Sequence, residues 1–201
     1  TKEGLHTNDI WEISPDSSGR LWLGSRDHPG ISILYPGEAR IQYAGPANGF
    51  SKFIINILEG PDHQIYMPSD SLVYVLNPAL TKLKTIETVS NYKSSIWFAH
   101  SLVDKSGQIW IGSINDGLQL IDTRGILPVH FDKSKGLSGN SIWGLMEDHQ
   151  NQLWIGIAWN YPDKTGYVNR LNITGNRVAD YTVVLDTPIV NMYAAIEDHK
   201  K

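Results

Sequence analysis

The sequence contains no cysteine, which removes disulfide staples and thiolate metal sites from consideration. It has no surplus of positive charge. Its 17 Lys and Arg stand against 21 Asp and Glu, and the formal net charge of −4 is a poor match to nucleic acid phosphates. No stretch approaches the roughly 18 consecutive apolar residues that read as a membrane-spanning helix, and no secretory leader is visible. Long Ala-, Leu-, Glu- and Lys-rich segments with helical periodicity are missing as well. What the chain has in abundance is seven Trp, nine Tyr, 18 Gly and 10 Pro among 201 residues. Aromatic residues interrupted by turn formers suit a β protein of short strands, and this length suffices for a sizeable core.

An internal repeat organises these residues. Asp16-Ser17-Ser18-Gly19-Arg20-Leu21-Trp22-Leu23-Gly24 returns as Asp104-Lys105-Ser106-Gly107-Gln108-Ile109-Trp110-Ile111-Gly112 and as Asp148-His149-Gln150-Asn151-Gln152-Leu153-Trp154-Ile155-Gly156. A weaker copy runs from Gly60 to Ser69, with Tyr66 in the Trp position. The anchors Trp22, Tyr66, Trp110 and Trp154 are each 44 residues apart. That period fits a four-stranded antiparallel β-propeller blade. A fifth copy opens at Ile189 and stops at Glu197-Asp198-His199-Lys200; its Asp lies 50 residues after Asp148, so blade four carries an insertion. The expected blades are 4–47, 48–91, 92–135 and 136–185, with the start of another at 186–201. In blade one the strands are expected over 8–14, 20–25, 30–35 and 39–43, with echoes at 117–122 and 140–147. Four and a fraction blades at this period read as an arc of a larger ring, completed by further blades of the same polypeptide or covered by a second copy.

A blade is packed on both faces, so its middle strands should be continuously apolar, as Leu-Trp-Ile is. Trp110 and Gly112 share a face, and the expectation is that Gly leaves space for a Trp lying flat under the next blade. Each buried Trp removes roughly 150–250 Å² from water, or on the order of 4–6 kcal/mol before entropy is counted. The Trp series therefore reads as core, not as a ligand platform. The Asp-x-x-Gly turns contain one carboxylate each, too few for a calcium loop, and read as ordinary turns opened by Asp and closed by Gly.

Gly136-Leu137-Ser138-Gly139-Asn140-Ser141-Ile142-Trp143-Gly144-Leu145-Met146-Glu147-Asp148, followed by Leu153-Trp154-Ile155-Gly156, resembles the two-component regulator propeller repeat. So does Gly4-Leu5-His6-Thr7-Asn8-Asp9-Ile10-Trp11, followed by Leu21-Trp22-Leu23-Gly24. Blade two departs most, with Tyr66-Met67-Pro68 for Trp-Ile-Gly, and blade three lacks the Gly-Leu-x-x-Asn lead-in. The resemblance implies part of a seven-bladed propeller. It also implies the periplasmic sensing ectodomain of a hybrid histidine kinase–response regulator, with an oligosaccharide as ligand. The sialidase Asp-box is a different turn: here Asp104 stands three residues before Gly107 and six before Trp110, a wider spacing than that motif uses.

Function on such a scaffold belongs to the loops that break the repeat. The insertion Ala158-Trp159-Asn160-Tyr161-Pro162-Asp163-Lys164-Thr165-Gly166 is expected as a loop between strands two and three of blade four, and mixes aromatic faces with amides in the way sugars favour. Its counterparts contribute Arg26, Asp27, His28, Asp70, Asn115 and Asp116, which together with Trp159, Asn160 and Tyr161 form a candidate polar ring. Trp97 and His100 enter the first strand of blade three and complete the candidate set. Ordinary solvated turns and a hydrogen-bonded structural histidine remain the competing readings. No catalytic residue, metal ligand set or cofactor motif emerges: there is no His-x-His, His-Glu-x-x-His, Gly-x-Ser-x-Gly or phosphate loop. The leading reading is a non-enzymatic sensor of small molecules or oligosaccharides. A propeller-fold lyase or glycosidase and a protein-interaction scaffold are the alternatives.

Overall fold

The computed structural model describes residues 4–69, 72–77, 79, 81, 83–88, 100–121, 128–160, 165–174 and 177–189, the side chains of 159, 160, 165, 172–174 and 177–189 excepted. It consists of four four-stranded antiparallel sheets, each with its strands in chain order. The protein is a β-propeller in fold. Blade one holds β1 (Ile10–Pro15), β2 (Leu21–Ser25), β3 (Ile31–Leu34) and β4 (Ile41–Ala44). Blade two holds β5 (Leu58–Glu59), β6 (Ile65–Pro68), β7 (Leu72–Leu76) and β8 (Leu83–Glu87). Blade three holds β9 (Ser101–Val103), β10 (Ile109–Gly112), β11 (Leu118–Ile121) and β12 (Val129–Phe131). Blade four holds β13 (Ile142–Glu147), β14 (Gln152–Asn160), β15 (Thr165–Thr174) and β16 (Arg177–Ile189). The chain forms two compact units, Thr1–Ser90 with blades one and two, and Asn91–Lys201 with blades three and four.

The insertion of blade four is built differently from the expectation. Residues 158–160 continue β14, and β15 begins at Thr165, so most of the added chain lengthens two strands instead of forming a loop. The outer strand β16 likewise runs past residue 185 to Ile189. Residues 190–201, where the fifth copy was expected, lie outside the described residues.

The anchors are core. Trp22, Tyr66 and Trp110 are buried, as the repeat predicts. Trp154 is half-buried, with the Arg170 guanidinium 5.7 Å from its ring centroid. In unit one the core gathers Trp22, Ile31, Phe50, Ile54, Ile65, Met67 and Tyr74 between the two blades. In unit two Trp110, Leu118, Ile142, Leu153 and Ile155 do the same. The glycine two residues beyond the anchor has another purpose than the one expected. A Cβ on Gly24 would stand 2.2 Å from the Ile54 carbonyl oxygen, and one on Gly112 would stand 2.5 Å from Ile142 Cγ2. The missing side chain admits the next blade, and not the Trp of the same strand.

The Asp that opens each turn is occupied on both oxygens. Asp16 Oδ1 accepts the backbone N–H groups of Ser18 and Arg20, while Oδ2 accepts Nε1 of Trp22 at 2.8 Å. Asp104 serves Ser106, Gln108 and Trp110 in the same way, the indole at 2.9 Å. Asp148 serves Gln150, Gln152 and Trp154, the indole at 2.8 Å. The carboxylate is thereby committed to its own turn and strand, and the indole N–H obtains the partner it needs.

Blade two reaches the same result with other residues. Gly60 stands where the other blades have Asp, and Tyr66 where they have Trp. Asp62 takes over as acceptor, holding the Tyr66 hydroxyl at 2.9 Å and the backbone of Gln64. A Cβ on Gly60 would meet Tyr66 Cε2 at 2.6 Å, so the tyrosine ring fills the place of the absent aspartate. In all four turns the residue before the second strand's first residue pair takes left-handed backbone. Gly19 and Gly107 do so without steric cost, and His63 (φ 59°) and Asn151 (φ 58°) are residue types that tolerate it.

A second contact repeats between blades. The backbone N–H of Ser17 donates to Glu59 Oε2 at 2.6 Å, and that of Lys105 donates to Glu147 Oε2 at 2.8 Å. In both cases the residue after the turn Asp reaches the Glu that ends the first strand of the following blade. Ser17 Oγ and His63 also touch Glu59, but Ser17 and Glu59 both meet His63 through Nδ1. A nucleophile–base–acid relay needs one partner on each ring nitrogen, so this Ser–His–Glu cluster is a latch and not a catalytic triad.

Candidate functional site

Antiparallel pairing of β1 with β2 puts Ile10 opposite Ser25. The segment before β1 therefore meets the β2–β3 loop at the end of the blade away from the Asp-anchored turn. There Thr7 Oγ1 donates to Asp27 Oδ2 at 2.7 Å and accepts from the Asp9 backbone at 3.0 Å. His28 Nδ1 lies 3.1 Å from the same Asp27 oxygen. Burial works to raise the Asp27 pKa, but the bonds from Thr7 and His28 together outweigh it and hold the carboxyl below its ordinary range.

A histidine supports this layer. His6 places Nδ1 2.6 Å from Ser32 Oγ and Nε2 3.1 Å from Ser25 Oγ, and its ring stacks on Tyr43 with centroids 4.9 Å apart. Burial first, and then the nearby His28, push the His6 pKa down, which favours the neutral ring. Ser25 Oγ in turn donates to the His28 carbonyl at 2.9 Å. Together His6, Thr7, Asn8, Asp9, Asp27 and His28 line an open cleft of about 550 Å³.

Arg26 is turned to one side. Its guanidinium carbon sits 3.9 Å from the Trp11 ring centroid and its Nε is 3.4 Å from Asp9 Oδ2. Trp11 Nε1 donates to Asp9 Oδ1 at 3.1 Å. The equivalent Trp143 donates to Ser141 Oγ at 2.8 Å but is buried, whereas Trp11 is 41% exposed.

Of the residues singled out from the sequence, Arg26, Asp27 and His28 fall in this cluster. Asn115 and Asp116 form the β10–β11 turn of unit two, where the Asp116 backbone N–H donates to Ser113 Oγ at 2.7 Å and its carbonyl contacts His130 Nε2. His100 stands at the same end of blade three, its carbonyl accepting from Gly112 at 2.7 Å; burial pushes its imidazole pKa down. Trp159 and Asn160 lie in β14, and their side chains are outside the described residues, as are Asp70, Trp97 and Tyr161 altogether. His6, Thr7, Asn8 and Asp9 were missed as site residues because they sit in the repeat's lead-in. The pairing of two adjacent strands is the signal that places them beside Arg26–His28. Among the described residues no group of three or more His, Asp or Glu is placed to hold a metal ion.

The description of the two component regulator propeller matches residues 4–27 and 136–158. No curated protein sequence matches the chain. Among solved structures, the extracellular domain of BT3049 from B. thetaiotaomicron, assigned to a hybrid two component system, superposes with a TM-score of 0.65 at 20% identity, covering 90% of this chain and 24% of that one. Virginiamycin B lyase from Staphylococcus aureus superposes with a TM-score of 0.70 at 15% identity, covering 94% of this chain and 61% of that one. PorZ from Porphyromonas gingivalis, a surface component of the type-IX secretion system, gives 0.62 at 16% identity, with 92% and 28% covered. At these identities the likeness is one of fold. The chain spans about a quarter of the BT3049 ectodomain. Among the described residues no helix is long and apolar enough to cross a membrane.

Proposed function

Taking as premise that the chain carries two component regulator propeller repeats at 4–27 and 136–158, we propose that it is part of a ligand-sensing propeller on the periplasmic side of a hybrid two-component regulator. In this reading the segment itself is not catalytic, and its ligand is an oligosaccharide. The observation that carries the reading is the blade-one cleft, which is lined by residues of one of the two matched repeats and by the adjoining His28, and gathers polar groups at its mouth. Sensing asks for such a cleft to be shaped in advance, so that binding is not taxed by ordering the site. The tethers from Thr7 to Asp27, from Asp27 to His28 and from Ser25 to His28 provide that order.

The test is a glycan array followed by titration calorimetry and a product assay on the same sugars. Saturable binding with the sugar recovered intact supports the reading. Release of unsaturated or reducing-end products would overturn it in favour of an enzyme. Capture of a protein with no response to any sugar would overturn it in favour of a scaffold.

A further inference from the structure

We infer that the blade-one cleft selects ligands that donate hydrogen bonds, namely neutral polyhydroxylated or amino sugars, and rejects acidic ones, with Asp27, His28 and Asn8 as the residues in contact. This rests on the oligosaccharide reading above and adds to it which sugars are taken and where.

The argument is a count of which atoms are committed and which are presented. Asp27 Oδ2 is taken by Thr7 and His28, while Oδ1 has no partner on another residue among the described residues. His28 turns Nδ1 to a carboxylate, which selects the tautomer with the proton on Nδ1 and leaves Nε2 of that tautomer as an acceptor facing outward. The His28 side chain is 57% exposed, and among the described residues none engages Nε2. The Asn8 amide is exposed at the same cleft. His6 offers nothing to a ligand, because both of its ring nitrogens are bonded to Ser32 and Ser25. The cleft thus presents a carboxylate oxygen and an imidazole acceptor side by side, with one amide that can serve either way.

Charge points in the same direction. Asp9 is offset by Arg26, whose guanidinium lies along Trp11. Among the described residues no Lys or Arg pairs with Asp27. Sugar hydroxyls or an ammonium satisfy two neighbouring acceptors. A carboxylate or sulfate placed there meets like charge and unpaired lone pairs, the kind of mismatch by which sites reject competitors.

Two exposed substitutions test the assignment without touching the core. His28→Ala and Asn8→Ala are made singly and together in the whole chain, with circular dichroism and melting temperature as checks on folding. The probes are maltohexaose, cellohexaose, xylohexaose and chitohexaose on one side, and oligogalacturonate and a chondroitin sulfate hexasaccharide on the other. Binding of a neutral or amino sugar probe that weakens at least tenfold in the double variant, at unchanged melting temperature, is the expected result. Preference for the acidic probes overturns the inference, and so does neutral-probe binding that the variants leave intact; in both cases the sensing reading survives. Absence of binding to every probe removes the inference and the oligosaccharide reading together.

Discussion

At the scale of single residues, the turn aspartates do more than the sequence suggests. Asp-x-x-Gly reads locally as a turn, because that part of the aspartate's work is done within four residues. The bond from Oδ2 to the indole six residues on depends on how β-strand and turn meet in space, and composition does not display it. Truncating Trp110, which is fully buried, is expected to cost about 3–5 kcal/mol by chemical denaturation. Asp104→Ala leaves the Trp110 indole and the Ser106 and Gln108 amides without their acceptor. A loss of about 1–3 kcal/mol or more is expected; an unchanged midpoint would show these bonds to be dispensable. Acid should act through the same groups. In Asp16 and Asp148 burial works to raise the pKa, but the bonds from the indole, the backbone and, for Asp16, Arg20 prevail and lower it. A depressed folded pKa means stability that is present above the unfolded value, near 3.9, and is lost as pH falls through the folded value. Asp148→Asn should therefore flatten the loss of stability below about pH 4, measured as melting temperature against pH.

At the scale of elements, the repeat was legible because its spacing is regular and its middle strands are apolar on both faces. Four blades and their anchors follow from that alone. The insertion in blade four was not legible as strand: Trp159 and Asn160 sit among Pro, Asp, Lys and Gly, a loop-like local composition, yet pairing with β15 carries β14 through Asn160. Arg26, Asp27 and His28 were legible as candidates because they interrupt the repeat. His6 to Asp9 were not, because they belong to it. Blade two gives a test of how the turn and the anchor are coupled. Gly60→Asp alone should destabilise through its clash with Tyr66, and Tyr66→Trp alone by losing the bond to Asp62. The double variant restores the pair used in the other blades and should recover roughly 0.5–3 kcal/mol relative to additivity. A strictly additive cycle in urea denaturation would show that the two positions are independent.

At the scale of the whole molecule, one face of blade one stands out. Ile13 pairs with Leu23 and Pro15 with Leu21, so these side chains share a side. Ile13 is 62% exposed, Tyr43 45% and Leu21 36%. A face of this composition favours self-association in water. Ile13→Lys is expected to reduce concentration-dependent association in sedimentation velocity with little change in melting temperature. Identical sedimentation of parent and variant across concentrations would assign that behaviour to other surfaces.

The exchange of Asp and Trp for Gly60 and Tyr66 also bears on how a molecule made of copies can change over time. If blades arise by duplication, every new blade starts with the same aspartate and tryptophan. Neither can be replaced first without harm, since a glycine in the turn strands the indole N–H, and a tyrosine meets the aspartate still in its place. If the single variants behave as predicted above, the two solutions are separated by a less stable intermediate. Blade two then is not a worn copy of its neighbours. It is a second way of filling the same turn, in which Asp62 and Tyr66 do together what the aspartate and the indole do elsewhere.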